Sequence, residues 1–336
     1  MKKTFIIAEA GANHNKDLAI AKQLVRVARD AGCDAVKFQT YSSETLYSKN
    51  TPDFAGYQNI NDLIKSIELP REWQKILKDY CDGCGIEFMS TPFDEAAVDQ
   101  LVELGVKRFK IAGFESTDPR FVKYVASKNL PIVFSCGIGS NCRKAEETFE
   151  WIRSVGNDKE IWILHCNNAY PTPISDINLI NIAELEDLFD MRRVKIGLSD
   201  HTMNPYIPAM AIMKGAQVIE KHFTLSRSLK GPDHPFALEP RELYEMVKQI
   251  RVAEKAIGCH KTSLYTQSEE EFKQARRSVV ARKAIPAGTI LTEALLTTKR
   301  PFISNAISAE LYYKMIGKTL LTDLQEDDIL KVENIR

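Results

Sequence analysis

Polar and ionisable residues recur at the ends of short apolar runs along this chain, and their types define a narrow chemistry. Glu9 closes the first run. Lys37 and Gln39 fall in the second, Ser90 and Thr91 in the third, Lys110 in the fourth and Ser135 in the fifth. His165, Asn167 and Asn168 end the sixth, Ser199, Asp200 and His201 the seventh, and Glu220, Lys221 and His222 the eighth. His201 and His222 end neighbouring runs. Neutral imidazoles are common ligands of Mn, Fe, Co or Zn, and Glu9, Glu220 and Asp233 are carboxylates that could ligate or support such an ion. The spacing leaves two readings open, metal ligands or hydrogen-bonded histidines. Lys37 and Lys110 also admit two readings. Buried ammonium groups need an anion or lose their charge, so they form either a phosphate and carboxylate clamp or a Schiff-base pair. The nearby Thr91 and Ser135 hydroxyls favour the clamp.

These residues must be positioned by a repeated scaffold. The apolar runs are 5–10, 35–40, 87–91, 108–113, 132–137, 161–168, 194–200 and 218–224, with amphipathic helical patterns at 18–31, 71–81, 95–104 and 120–128 between them. Strands alternating with helices predict parallel β/α architecture, and eight repeats predict a closed TIM-type (β/α)8 barrel, which collects its strand ends at one catalytic face. Period-two alternation puts Lys37 with Gln39, Ser199 with His201, and Glu220 with His222 on shared faces. A doubly wound sheet would carry a glycine-rich phosphate loop after its first strand. Gly11-Ala12-Asn13-His14-Asn15 is not that fingerprint.

Residues 239–257 read as the last barrel helix, with Pro240 in its first turn and Gly258 at its stop. The predicted organisation is a catalytic barrel over 1–257, a polar linker over 258–277 and a small domain over 278–336. The last has short strands, the turn Pro286-Ala287-Gly288-Thr289 and a short helix near 309–316. Its core is small for a free-standing domain.

With 336 residues, 45 basic and 45 acidic side chains, the chain has no charge imbalance to suggest nucleic acid or an anionic membrane as partner. No stretch approaches the roughly 20 apolar residues of a membrane span, and Glu9 interrupts the only signal-like start. A cytoplasmic protein with reduced thiols is expected, the Cys81–Cys84 pair included.

Seven segments in order resemble the sialic acid synthase family: I-I-A-E-A-G-A-N-H-N (6–15), A-V-K-F-Q-T (35–40), S-T-P-F-D (90–94), L-H-C-N-N-A-Y-P-T-P (164–173), G-L-S-D-H-T (197–202), E-K-H-F-T-L (220–225) and G-P-D-H (231–234). A-R-K-A-I-P-A-G-T (281–289), T-T-K-R-P (297–301) and I-G-K (316–318) resemble that family's antifreeze-like, or SAF, domain. The resemblance implies an enzyme that condenses phosphoenolpyruvate with an open-chain N-acetylhexosamine to a nine-carbon keto acid and phosphate. It implies a divalent ion on His201 and His222, Mn²⁺ first and Mg²⁺ or Co²⁺ next. It implies Lys37, Lys110, Thr91, Ser135 and Ser199 on phosphoenolpyruvate, Glu9 and Glu220 beside the metal and the reacting atoms, and Gln39, Asn168, Tyr170 and Asp233 on the sugar. It further implies a domain-swapped homodimer in which Arg300 reaches the partner's barrel. Two departures stand out. Gly113 replaces a serine of the usual K-I-P-S-G-E, and residues 301–305 lack the usual glycine-rich stretch. The alternatives are a KDO-phosphate or DAHP-type synthase, which lacks the final domain, a spore-coat sugar synthase, and a non-catalytic sugar- or ice-binding protein.

Overall fold

A computed structural model describes residues 3–53, 59–138, 141–258, 263 and 265–336. Among these the chain divides into two units, Met1–Gly258 and Cys259–Arg336. Residues 259–262 and 264 of the expected linker lie outside the described residues.

In the first unit eight strands run parallel: β1 (Phe5–Gly11), β2 (Ala35–Thr40), β3 (Glu87–Pro92), β4 (Phe109–Ile111), β5 (Ile132–Cys136), β6 (Ile161–Cys166), β7 (Val194–Asp200) and β8 (Val218–His222). Their order is β3-β2-β1-β8-β7-β6-β5-β4, and β3 and β4 lie side by side, so the sheet curls into a TIM-like barrel. The predicted strand count and parallel sense therefore hold.

Local chemistry explains the helices around it. The helix Leu18–Ala31 starts at Asp17, whose carboxylate accepts from the Ala19 and Ile20 amides, and stops at Gly32 with φ +86. These are an N-cap and a left-handed C-cap. Asp118 caps Pro119–Ser127 in the same way, and Glu239 and Glu242 form a reciprocal capping box at Pro240–Ile257. The helix Leu18–Ala31 turns an apolar stripe inward, Leu24, Val25 and Ala28, into the same core as the outward strand residues Ile6, Val36, Phe88 and Leu198.

The inward strand residues form two layers. Ile7, Ala35, Met89, Val133, Trp162, Leu164 and Val218 plug the lumen below, and the polar residues stand above them. The strand ends differ from expectation where polar groups redirect the backbone. β4 stops at Ile111, because the Ser116 amide turns back to the Ala112 carbonyl. β6 stops at Cys166, because the Asn167 side chain accepts from the Ala169 amide. The helix expected over 71–81 runs Trp73–Cys84, so Cys81 and Cys84 sit within it as free thiols.

The second unit pairs β9 (Ser278–Ala281) antiparallel with β10 (Leu296–Lys299). It closes a core of its own around Val279, Ile285, Leu291, Leu320 and Leu330. Its Pro286–Thr289 turn is held by the Thr289 hydroxyl on the Pro286 carbonyl at 2.7 Å, with Gly288 at φ +82. Among the described residues, no helix of the chain is long and apolar enough to cross a membrane.

Gly197 marks the tightest approach in the barrel wall. A Cβ there would stand 2.2 Å from the Val218 carbonyl oxygen and 2.7 Å from Leu164. Gly197→Ala is predicted to cost about 1–3 kcal/mol of stability by forcing β7 and β8 apart. Urea unfolding checks this; an unchanged midpoint would mean that the strands yield freely.

Candidate active site

Alternation sorts the polar strand ends into two populations. Glu9, Lys37, Thr91, Lys110, Ser135, Ser199 and Glu220 face the lumen and touch one another. Lys37 Nζ lies 2.7 Å from Glu9 Oε2 and 3.7 Å from Glu220 Oε2, and it donates to Thr91 Oγ1 at 2.9 Å. Lys110 Nζ lies 3.4 Å from Glu220 Oε1 and donates to Ser135 Oγ at 2.9 Å. Ser199 Oγ donates to Glu220 Oε1 at 3.0 Å. All seven residues are buried.

The other population faces the helices and leaves the site. Lys221 pairs with Asp200 at 2.7 Å and with Thr202. Ser90 shares a hydrogen bond with Thr40, which accepts from Gln74. His165 is bonded to the Ile177 carbonyl at 2.6 Å. Polarity at a strand end does not by itself place a residue in the site; parity along the strand does.

Burial tunes the lumen cluster. Desolvation pushes the Glu9 carboxyl up to about 8; Lys37 opposes this and the Glu220 charge adds to it. Glu220 is instead held below its ordinary value by Lys110 and Lys37, which overcome its own burial. Lys110 is lowered by burial, whereas Lys37 between two carboxylates is raised. The cluster therefore combines one firmly ionised carboxylate with one inclined to keep its proton.

A second ring lies about His201 and His222, whose ring centroids are 5.4 Å apart. Burial lowers His201 to about 4 and His222 well below the usual range, so both are neutral at physiological pH. His201 Nδ1 lies 2.7 Å from the Asn167 carbonyl oxygen. A carbonyl only accepts, so Nδ1 carries the proton and the Nε2 lone pair is free. His222 Nδ1 is buried without a hydrogen-bond partner, 3.9 Å from Asp233. Among the described residues no three or more His, Cys, Asp or Glu side chains group as a metal cage. Two neutral imidazoles with free lone pairs nevertheless fit a divalent ion whose other positions go to water or substrate.

Tyr170 stacks 4.2 Å from His201 and meets Phe236 at 5.3 Å, and its phenol is reached by the Asn168 amide at 3.4 Å. Asp233 Oδ2 accepts from the Ala12 amide at 3.1 Å. Gly11, at φ +49, lets this loop pass; a Cβ there would stand 2.5 Å from Asp233 Oδ2. Gln39 shares β2 with Lys37 and is half-buried. Arg300 lies in the second unit, exposed, and its guanidinium makes no hydrogen bond or ion pair among the described residues.

Sequence reasoning missed three contributors. Glu115, after β4, has a buried carboxyl raised by desolvation to about 7, and its Oε2 lacks a partner. Cys166 faces the lumen with its Sγ 3.9 Å from His201 Nδ1. The Asn167 backbone carbonyl, which fixes the His201 tautomer, has no side-chain signal at all. The Gly113 departure also gains a reason. A Cβ at Gly113 would sit 2.7 Å from the Gly137 Cα and 3.0 Å from the Asn168 side-chain oxygen. In this loop geometry a serine would not fit.

Fold and site together define a β/α-barrel enzyme whose mouth sets paired ammonium and carboxylate groups beside two neutral imidazoles. The chain belongs to the NeuB family, whose model matches residues 24–262, and a SAF domain follows at 276–336. It is 39% identical over 340 residues to an N,N'-diacetyllegionaminic acid synthase of Campylobacter jejuni, covering 98% of this chain and 100% of that protein. It is 34% identical to a pseudaminic acid synthase of the same species, covering 100% and 97%. Among solved structures it is similar to an N-acetylneuraminic acid synthetase of Leptospira borgpetersenii, crystallised with citrate. That match has a TM-score of 0.73 and 32% identity, and covers 81% of this chain and 90% of that one.

The Glu9 environment makes a signed prediction. Its native state holds a proton that the unfolded chain releases near 4.5, so this group's contribution to stability falls as pH climbs from about 4.5 through about 8. In the protein without added ions, infrared spectroscopy should show protonated-carboxyl absorption at pH 7.5, above the Glu115 range, that fades as pH climbs past 8 and is diminished in Glu9→Gln. A band unaffected by that substitution would assign the raised carboxyl elsewhere.

Proposed function

We infer that the barrel mouth condenses phosphoenolpyruvate with the open-chain aldehyde of an N-acylated amino sugar, which makes this chain a nonulosonate synthase. The observation that carries this reading is the lumen cluster. Two buried ammonium groups, each hydrogen-bonded to a hydroxyl, stand beside two imidazoles with free lone pairs. The names of the relatives agree with a nonulosonate product.

Lys37 and Lys110, with Thr91, Ser135 and Ser199, would bind the carboxylate and phosphate of phosphoenolpyruvate. His201 and His222 would hold a divalent ion, Mn²⁺ by preference. When bound, that ion supplies Lewis-acid polarisation of the aldehyde oxygen. Gln39, Asn168, Tyr170 and Asp233 orient the sugar. C3 of phosphoenolpyruvate then forms the new bond to the aldehyde carbon, and positive charge grows on C2. Glu9 or Glu220 takes a proton from the water that adds to C2. Collapse of this adduct breaks the C2–O bond, and the ammonium groups stabilise the departing phosphate. Phosphoenolpyruvate, aldehyde and one water thus become keto acid and phosphate without a covalent enzyme intermediate. The same reading makes the active form a homodimer in which Arg300 serves the partner's site. It also puts the enzyme in the cytoplasm, where free thiols such as Cys33 and Cys136 stay reduced.

Incubation with phosphoenolpyruvate, Mn²⁺ and a panel of N-acylated hexosamines should release phosphate and give a keto acid identified by mass, and chelation should abolish turnover. Lys37→Ala and Lys110→Ala each remove a charge-assisted contact worth about 1.5–3 kcal/mol. Each should raise the KM for phosphoenolpyruvate about ten- to a hundredfold, while borohydride traps no adduct. Release of no phosphate with any aldose would end the reading, and a borohydride-stable lysine adduct would replace the clamp with a Schiff base.

The Arg300 arrangement has its own test. Arg300→Ala should raise the KM of the sugar and spare that of phosphoenolpyruvate. Activity should recover when Arg300→Ala and His201→Ala chains exchange subunits, because one site then joins an intact barrel to an intact arginine. No recovery despite proven exchange would confine Arg300 to its own chain or remove its role.

A further inference from the structure

The short turn His234–Phe236, with Asp233 immediately before it, brings two side chains to the mouth. Asp233 accepts from the Ala12 amide at 3.1 Å and lies 3.9 Å from His222. Phe236 sets its ring 5.2 Å from His222 and 5.3 Å from Tyr170. His234 stands between them in the chain, and the roles above leave it unused. We propose that His234 is a positioning residue for the acceptor: it straps this turn to the loop leaving β1 and so sets where Asp233 and Phe236 meet the sugar. The proposal deepens the nonulosonate synthase reading and rests on it for the identity of the acceptor.

The ring acts through its neighbours. His234 is 0% exposed, so it cannot itself meet a substrate. Both of its nitrogens are engaged. Nδ1 shares a hydrogen bond with Thr224 Oγ1 at 2.6 Å, and Nε2 lies 3.1 Å from Asn15 Oδ1. An amide oxygen only accepts, so Nε2 is the donor of the second bond. The two bonds differ in what they join. Thr224 lies two residues beyond His222, in the segment that leads into the same turn. Asn15 belongs to the loop after β1, 219 residues away in sequence. The Asn15 bond is therefore the one that ties the turn across the mouth.

Backbone secures the trailing end of the turn. The Leu238 amide donates to the His222 carbonyl at 3.0 Å, and the Thr224 amide donates to the Leu238 carbonyl at 2.9 Å. The Asn13 side chain donates to the Phe223 carbonyl at 2.8 Å, which seats the β1 loop on the exit of β8. Neither tie reaches Asp233. The chain is also shaped to clear the strap. Gly231 has φ +150, and a Cβ there would stand 2.8 Å from His234 Cδ2 and 3.2 Å from Asn15 Oδ1. Side chains that lock others in place in this way govern how closely a site fits its substrate.

The test uses the full-length chain with Mn²⁺, phosphoenolpyruvate and the N-acylated hexosamine that the wild type turns over. His234→Ala should raise the KM of the sugar at least about tenfold and leave that of phosphoenolpyruvate unchanged. Without substrates, hydrogen exchange at the Ala12 amide should quicken about tenfold or more, while the Thr224 and Leu238 amides stay protected. The two conservative variants separate the bonds. Gln places its amide where Nε2 stood and Asn where Nδ1 stood, so His234→Gln should restore both readouts and His234→Asn neither. Asn15→Gly suits the φ of +50 at that position and leaves the buried ring in place, so it carries the test if His234→Ala does not fold. It should reproduce the His234→Ala effects, and the double variant should be no worse than either single one. Equal rises in both KM values, equal rescue by Gln and Asn, additive effects, or unchanged Ala12 exchange would make His234 plain core packing and overturn the strap while the synthase reading stands. Turnover of no aldose by the wild type would end that reading, and the Ala12 exchange then decides the strap alone.

Discussion

Everything at the mouth of this barrel depends on four ionisable groups that have been taken out of water together. Glu9, Lys37, Glu220 and Lys110 lie within ion-pair reach in one chain, each nearly inaccessible to solvent. Separately, any of them would be expelled or neutralised. Together they hold one another in place: the hydroxyls of Thr91 and Ser135 accept from the two lysines and that of Ser199 donates to Glu220, while Glu9 Oε1 keeps no hydrogen-bond partner. An anion entering here would compete with the carboxylates for the ammonium groups.

The histidines belong to a different regime. They have been made neutral by burial, and their lone pairs are directed by backbone: the Asn167 carbonyl fixes one ring, and an unpartnered nitrogen near Asp233 marks the other. The paired ammonium groups and the neutral imidazoles are thus separated across the lumen, the first on β2 and β4, the second at the ends of β7 and β8. β1 and Glu220 lie between them.

The barrel was legible because its signal is repetitive: an apolar run, a polar end, an amphipathic helix with its cap. Asp17 and Gly32, or Pro240 and Gly258, announce helix ends in the sequence itself. The lumen set was legible by parity, as with Lys37 and Gln39 or Glu220 and His222. What did not show was contributed by atoms that carry no side-chain identity, such as the Asn167 carbonyl, or by burial, which is the main cause that raises the Glu115 carboxyl to about 7. The distinction between His165 and His201 also required the fold. Both close a strand with an imidazole, and only the pleat says which faces the lumen.

The buried pair of Lys221 and Asp200, outside the lumen, bears on how the site tolerates sequence change. Strand β8 reads Glu220, Lys221, His222, alternating inward, outward, inward, and Asp200 waits outside for the middle residue alone. A slip by one residue would drive an ammonium group into the histidine ring and leave Asp200 facing apolar helix with no counter-charge. The pair thus acts as a key cut for one registration of the last strand against its neighbour. Insertions or deletions between these strands can be absorbed in the connecting loops, while the strands themselves are barred from sharing them.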